Sequence, residues 1–463
     1  MESFDFIVIG GGSAGYAGAR TARETHERVA IVDGADPLGG LCILRGCMPS
    51  KTLIYGAEIL HHARHADRFA LDIPEARPKM PAFQDRKKAI IGDFAAYRQE
   101  QLASDRFRLY RAHARFVDPH TIELTDGTRI HGERFLIATG SVVATPPVPG
   151  LAETPHWTSD DVLDLDFVPE SVIVLGGGVV ACELAQYLNR LGSRVIQIQR
   201  SERILKDATP EGARVVEQAF RDEGIELFTG TKITGIRRLN TEVEVVFEHG
   251  GQTVTRTTAF LFNALGRKPA VDGLDLDRAG VRLRPSGHIE ANAFQQTAAP
   301  HIYAAGDVCG PVEIVHIAIL QGEAAARHAL GHAQQPMDFD GPAHVIFTDP
   351  QFAGVGLSLE KARARGYDPV AADFPFDDHG KAILMEARYG YVKVVADKKD
   401  GAVLGAECVG KDAGELIHAM AVAVALKTTV HAMKAVQWYH PTLSEIWDYP
   451  LDELREACGR PEA

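Results

Sequence analysis

The sequence predicts an α/β fold, with two doubly wound parallel-sheet units followed by a C-terminal α+β domain. Three observations predict it. An apolar strand, a glycine turn, a helix and a second strand follow one another twice, in "FDFIVIGGGSAGYAGARTARETHERVAIVDG" and in "SVIVLGGGVVACELAQYLNRLGSRVIQIQR". The last part of the chain has a different character, a strand pair around a turn in "YGYVKVVADKKDGAVLGAECVG" and an apolar helix in "AGELIHAMAVAVALKTTVHAM". Finally, 463 residues exceed what one hydrophobic core serves, so about three domains are expected.

The composition excludes several classes. Hydrophobic residues make up 45% and charged residues 24%, as in a globular chain that buries a large core. Lys and Arg total 49 against 62 Asp and Glu, and the net charge of −13 argues against a nucleic-acid or anionic-membrane surface. No uncharged apolar run approaches the roughly 18 to 20 residues of a membrane-spanning helix. The first strand begins almost at Met1, without a charged and apolar leader, so a cytoplasmic location is expected.

In the first unit Gly10, Gly12 and Gly15 fit G-x-G-x-x-G, with Ser13 opening the helix. The pattern is Rossmann-like: a tight turn, a bare backbone beside a pyrophosphate, and close helix–strand packing. Asp33 lies 23 residues after Gly10, where a carboxylate accepts from ribose hydroxyls. In the second unit Gly176, Gly178 and Ala181 fit the G-x-G-x-x-A variant. The corresponding position there is Gln199, and Arg200, Arg203 and Lys206 follow it. Cations suit a 2′-phosphate better than a bare ribose, so NADPH is expected over NADH.

Six cysteines in a chain of this length make no disulfide framework, and only Cys42 and Cys47, in "GGLCILRGCMPSK", lie close together. A disulfide five residues apart requires Cα atoms within about 4.4 to 6.8 Å, feasible where a distorted turn enters a helix. "MPSKTLIYGAEIL" reads as that helix, with Pro49 near its first turn. Cys47 then sits at a helix N-terminus, which favours a thiolate. Zinc is the competing reading, but no second Cys/His pair stands at finger spacing. A thiol pair beside one dinucleotide site, with a second site downstream, suggests an electron relay. A flavin suits it, because it takes a hydride from a nicotinamide and exchanges electrons with a disulfide.

These motifs resemble the FAD-dependent pyridine nucleotide–disulfide oxidoreductases. The likeness runs through both glycine fingerprints, "GGLCILRGCMPSK", "FLIATGS", "FNALGRKP", "TAAPHIYAAGDVCG" and "HPTLSE", essentially the whole chain. It implies Cys42 as the interchange thiol, Cys47 as the sulfur against the flavin, and Lys51 paired with Glu183. It implies FAD contacts from Gly10, Gly12, Ser13, Gly15, Asp33, Gly40, Ala114, Thr139, Gly140 and Asp307. NAD(P) contacts would come from Gly176, Gly178, Ala181, Arg200, Arg203, Lys206 and Gly266. His440 fits a general acid–base because imidazole titrates near neutrality, and Glu445 could orient it. In the family this dyad serves the disulfide of the other subunit, implying a homodimer with shared active sites. The implied domains are 1–150 with 272–340 for FAD, 151–271 for NAD(P), and 341–463 for dimerisation.

Within the family, "HPTLSE" together with His316 and Glu323 looks most like dihydrolipoamide dehydrogenase, acting on a lipoyl-type dithiol or disulfide. Glutathione reductases usually carry arginine where Glu323 stands, and a second arginine where Thr21 follows Arg20. Mercuric reductases usually end in paired cysteines, whereas this tail has Cys458 alone. Against a routine lipoamide enzyme stand the basic run after Gln199, "ILRG" between the cysteines and "WY" before His440. The alternatives are an NADPH-dependent reductase of a small disulfide, a metal-ion reductase, and a flavin-binding redox sensor without catalysis.

Overall fold

The computed structural model describes residues 1–459. The first unit runs β1 (Phe6–Ile9), α1 (Ser13–Ala22), β2 (Val29–Val32), α2 (Leu41–Leu44), α3 (Cys47–Arg64), α4 (Met80–Leu102), β3 (Arg108–Tyr110) and β4 (Phe135–Ile137). β1 and β2 are unbroken apolar runs, and every residue in them is buried, as strands covered on both faces require. The chain leaves this sheet and returns much later: strand Ile302–Ala304 pairs with β4, giving five parallel strands with β1 at the centre. Helix Val315–Ala329 then packs on α1. The two backbones approach so closely that a Cβ on Gly322 would lie 2.1 Å from the Ala14 carbonyl oxygen.

The second unit repeats the design with β5 (Ser171–Leu175), α5 (Val179–Leu191), β6 (Arg194–Ile198), β7 (Glu226–Phe228) and β8 (Phe260–Asn263). Its four parallel strands lie in the order β7-β6-β5-β8. Gly10 and Gly176 hold φ of +102° and +117°, the left-handed region that glycine alone enters freely, as each chain turns from strand into helix. Gly12 and Gly178 are the residues that cap α1 and α5.

The last part is a five-stranded antiparallel sheet built from His344–Ile346, Gln351–Gly356, Val403–Gly410, Tyr391–Asp397 and Pro369–Pro375, in that order. Tyr391–Asp397 and Val403–Gly410 are the strand pair read from sequence. The apolar helix behind them is shorter than its pattern suggested. It spans Ala413–Ala425, the chain turns at Lys427 with φ +51°, and Thr429 caps a separate turn at Val430–Met433. The run Thr428, Thr429, Val430 is β-branched and favours leaving the helix, while the Thr429 hydroxyl satisfies an orphan N–H of the next turn.

Ion pairs tie this domain to the others. Arg190 of α5 donates to Glu223 and to Asp349, and Lys411 pairs with Glu58 of α3. The hydroxyl of Thr209 donates to Glu407 at 2.7 Å. Among the described residues no helix is long and apolar enough to cross a membrane, and no cluster of three or more His, Cys, Asp or Glu is placed to hold a metal.

Candidate active site

Cys42 lies in α2 and Cys47 is the first residue of α3, so a short break at Arg45 and Gly46 folds one sulfur over the other. Both are free thiols in this structure, close enough for each to shift the titration of the other. The neighbouring Cys42 is the main reason Cys47 falls to about 7 from the usual thiol value; Lys51 helps and burial opposes. Cys47 and burial push Cys42 well up. The pair therefore carries one proton and one negative charge around neutrality, and the charge resides on the sulfur at the helix N-terminus.

Lys51 stands one helical turn after Cys47, on the same face of α3. Its ammonium donates to Glu183 Oε2 at 2.7 Å, reaching across to α5 of the second unit. The Glu183 side chain is only 4% exposed, and its other oxygen accepts the backbone N–H of Phe347 at 2.9 Å. The Lys51 ammonium sits 4.7 Å from the centre of the Phe347 ring. Three separate stretches of chain thus fix one lysine beside the thiol pair. Sequence reasoning missed Phe347, for which no local pattern exists.

His440 and Glu445 meet as the sequence suggested, with Nδ1 of His440 2.9 Å from Glu445 Oε2. The histidine side chain remains 73% exposed, and no hydrogen bond or ion pair joins this dyad to the thiol pair within the chain.

The other candidate residues fall into two groups. Around the first glycine turn, Asp33 Oδ2 accepts the Gly11 N–H at 2.7 Å, and Gly40 approaches so closely that its Cβ would lie 2.7 Å from the Gly12 Cα. Ser13 begins α1 and Gly15 is buried within it. Thr139 and Gly140 follow β4, and the Thr139 hydroxyl donates to the Ala270 carbonyl. Ser141 donates to Asp307 Oδ2 at 2.7 Å, and Arg267 donates in turn to Ser141. Ala114 opens a strand of a separate mixed sheet, Ala114–Asp118.

Around the second turn, a Cβ on Gly178 or on Gly266 would meet nothing within 4 Å, while Ala181 is fully buried. Arg200 and Lys206 are exposed. Arg203 folds back, its Nη2 donating to the carbonyls of Lys206 and Ala208, so it is less available than its neighbours to an outside anion.

A thiol pair poised as thiol and thiolate, beside two nucleotide-type turns, defines a dithiol–disulfide redox protein that works with dinucleotides. The chain belongs to the pyridine nucleotide-disulphide oxidoreductase family: that family matches residues 4–322, and its dimerisation domain matches residues 342–450. It is 36% identical to a dihydrolipoyl dehydrogenase of Thermus scotoductus over 96% of each chain. It is 33% identical to a mercuric reductase of Bacillus cereus, over 96% of this chain and 70% of that one. LpdA of Mycobacterium tuberculosis superposes with a TM-score of 0.87 at 27% identity, covering 98% of this chain and all of that one. The protein is accordingly an oxidoreductase of the dihydrolipoamide dehydrogenase type that uses FAD and NAD(P)H and forms a homodimer.

Proposed function

We propose that the enzyme exchanges electrons between NAD(P)H and a lipoyl-type dithiol or disulfide through Cys42 and Cys47, with His440 from the second copy of the chain moving the proton. The observation that carries this reading is the Cys42–Cys47 pair at the N-terminus of α3, with Lys51 bonded to Glu183 one turn from Cys47. When bound, FAD passes the electron pair between nicotinamide and disulfide.

The chain's own residues account for the rest. Two electrons break the Cys42–Cys47 bond and leave both sulfurs reduced. Loss of its proton to a base frees Cys42 to attack a substrate disulfide: one S–S bond forms, another breaks, and the departing thiolate takes a proton. Cys47 then attacks Cys42, expels the second substrate thiol and restores the internal disulfide. In the opposite direction the same steps oxidise a dithiol. Glu445 holds one nitrogen of His440 and leaves the other for that proton.

The residues fit both cofactors. The N-termini of α1 and α5, bare at Gly12 and Gly178, suit pyrophosphates, and Ser13, Asp33, Gly40, Thr139, Gly140 and Asp307 would line the first as a FAD site. Ala114, in its separate sheet, would serve FAD through its backbone. Gly176, Gly178, Ala181 and Gly266 would hold NAD(P)H. The exposed Arg200 and Lys206 favour NADPH, with Arg203 shaping the loop that presents them. Residues 1–150 with 272–340, 151–271 and 341–463 form the corresponding domains. The test is a kinetic comparison of dihydrolipoamide, lipoamide, glutathione disulfide and Hg(II) with each nicotinamide. Lipoyl substrates should lead, and turnover confined to glutathione disulfide or Hg(II) would overturn the proposal.

A further inference from the structure

Arg98 belongs to α4, the helix that packs against α2 and α3, the two helices that carry Cys42 and Cys47. Its guanidinium lies 4.4 Å from the centre of the Tyr16 ring, and Nε and Nη1 are shut off from solvent with no hydrogen-bond partner. The titratable groups that bear most on it are Tyr16, Cys42, Tyr97 and Arg20, none of them a carboxylate. Arg20, the neighbouring cation, is neutralised by Glu323 at 2.6 Å, and Glu323 also faces Arg327 at 3.9 Å. Arginine stays protonated and offers five donors in a flat fork, so a half-buried guanidinium held by a ring, with two of its nitrogens shut off and unpartnered, is suited to receive an anion.

We propose that Arg98 selects the substrate at Cys42 by binding an anionic group carried near its sulfurs, so that a carboxylate-bearing dithiol or disulfide is preferred over its neutral amide. This rests on Cys42 as the thiol that meets substrate. The Tyr16 ring fixes the plane of the guanidinium, and its free edge can take both oxygens of a carboxylate.

Dihydrolipoate and dihydrolipoamide share one dithiol and differ in charge, which makes them the probe. On the FAD-loaded homodimer, kcat/KM should favour the acid by roughly tenfold or more, as a charge-assisted pair implies. In Arg98→Gln that ratio should fall towards one, chiefly through KM for the acid, and Arg98→Lys should restore part of it. The FAD content and thermal midpoint of each variant check that the fold is intact. Equal use of acid and amide by the wild type would overturn the proposal, as would an unchanged ratio in Arg98→Gln. Loss of FAD from Arg98→Gln with the ratio unchanged would assign the guanidinium to the flavin phosphates instead. If neither dithiol nor its oxidised form is turned over while NAD(P)H still reduces ferricyanide, the proposed function itself falls and this inference with it.

Discussion

The thiol half and the imidazole half of the candidate site are built in opposite ways. Cys42, Cys47, Lys51 and Glu183 are locked together by two units of one chain, with the Glu183 side chain 4% exposed. His440 and Glu445 also hold each other, but the histidine stands 73% exposed on the C-terminal domain. Neighbours tune the first half: Cys47 falls to about 7 through Cys42 and the nearby ammonium, against the effect of burial. The second half has its geometry but not its surroundings. Under the proposed function, the surface that covers so open a dyad is the second subunit of the homodimer.

This contrast can be broken by experiment, most severely at the sulfurs. Cys47→Ser should lower dithiol–disulfide turnover by at least roughly 10⁴-fold while NAD(P)H oxidation by ferricyanide persists, because the relay is cut after the flavin. Substantial lipoamide turnover in that variant would remove the thiol pair from the mechanism. His440→Gln should cost roughly 10²- to 10⁴-fold, the usual contribution of a positioned acid–base. Combining Cys42→Ser and His440→Gln chains in one mixed dimer should rescue about half the wild-type activity, since one of the two sites then has both halves intact. No rescue would place both halves in the same subunit.

A smaller effect concerns charge. The reduced pair should lose one proton with a midpoint at pH about 7, followed by thiolate ultraviolet absorbance, so the thiolate is present above that pH and lost below it. Lys51 lowers the Cys47 value, so Lys51→Met should move the midpoint upward. It should also destabilise the protein by about 3 kcal/mol, because it leaves the buried Glu183 with only a backbone donor. An unmoved midpoint would show that Cys42 acts alone. The mildest change is expected at the second glycine unit, where Arg200→Ser with Lys206→Ser should reduce the NADPH to NADH preference by roughly tenfold. A ratio unaffected by the pair would move nucleotide selection elsewhere.

Much of this was legible in the sequence because its signals are local. The two glycine turns show themselves by spacing, since each needs a positive φ at its first glycine and a small residue where helix meets strand. Cys47 at the start of a helix followed from Pro49 and the pattern after it. The apolar run after residue 413 misled about length, because periodicity does not register the turn at Lys427. Phe347 and Arg98 gave no signal at all. Phe347 matters through a backbone N–H aimed at Glu183 and a ring beside Lys51, and Arg98 through donors that lack partners.

By itself the sequence determined the order of elements, the two nucleotide-type turns, the thiol pair at a helix start and the pairing of His440 with Glu445. Each depends on residues close in the chain, where spacing and backbone preference suffice. Only the tertiary structure decided which stretches clamp Lys51, that Arg203 folds back onto its loop, and that Arg98 lacks an acceptor. Those outcomes depend on burial and on which donors meet which acceptors, and neither exists until distant segments have packed.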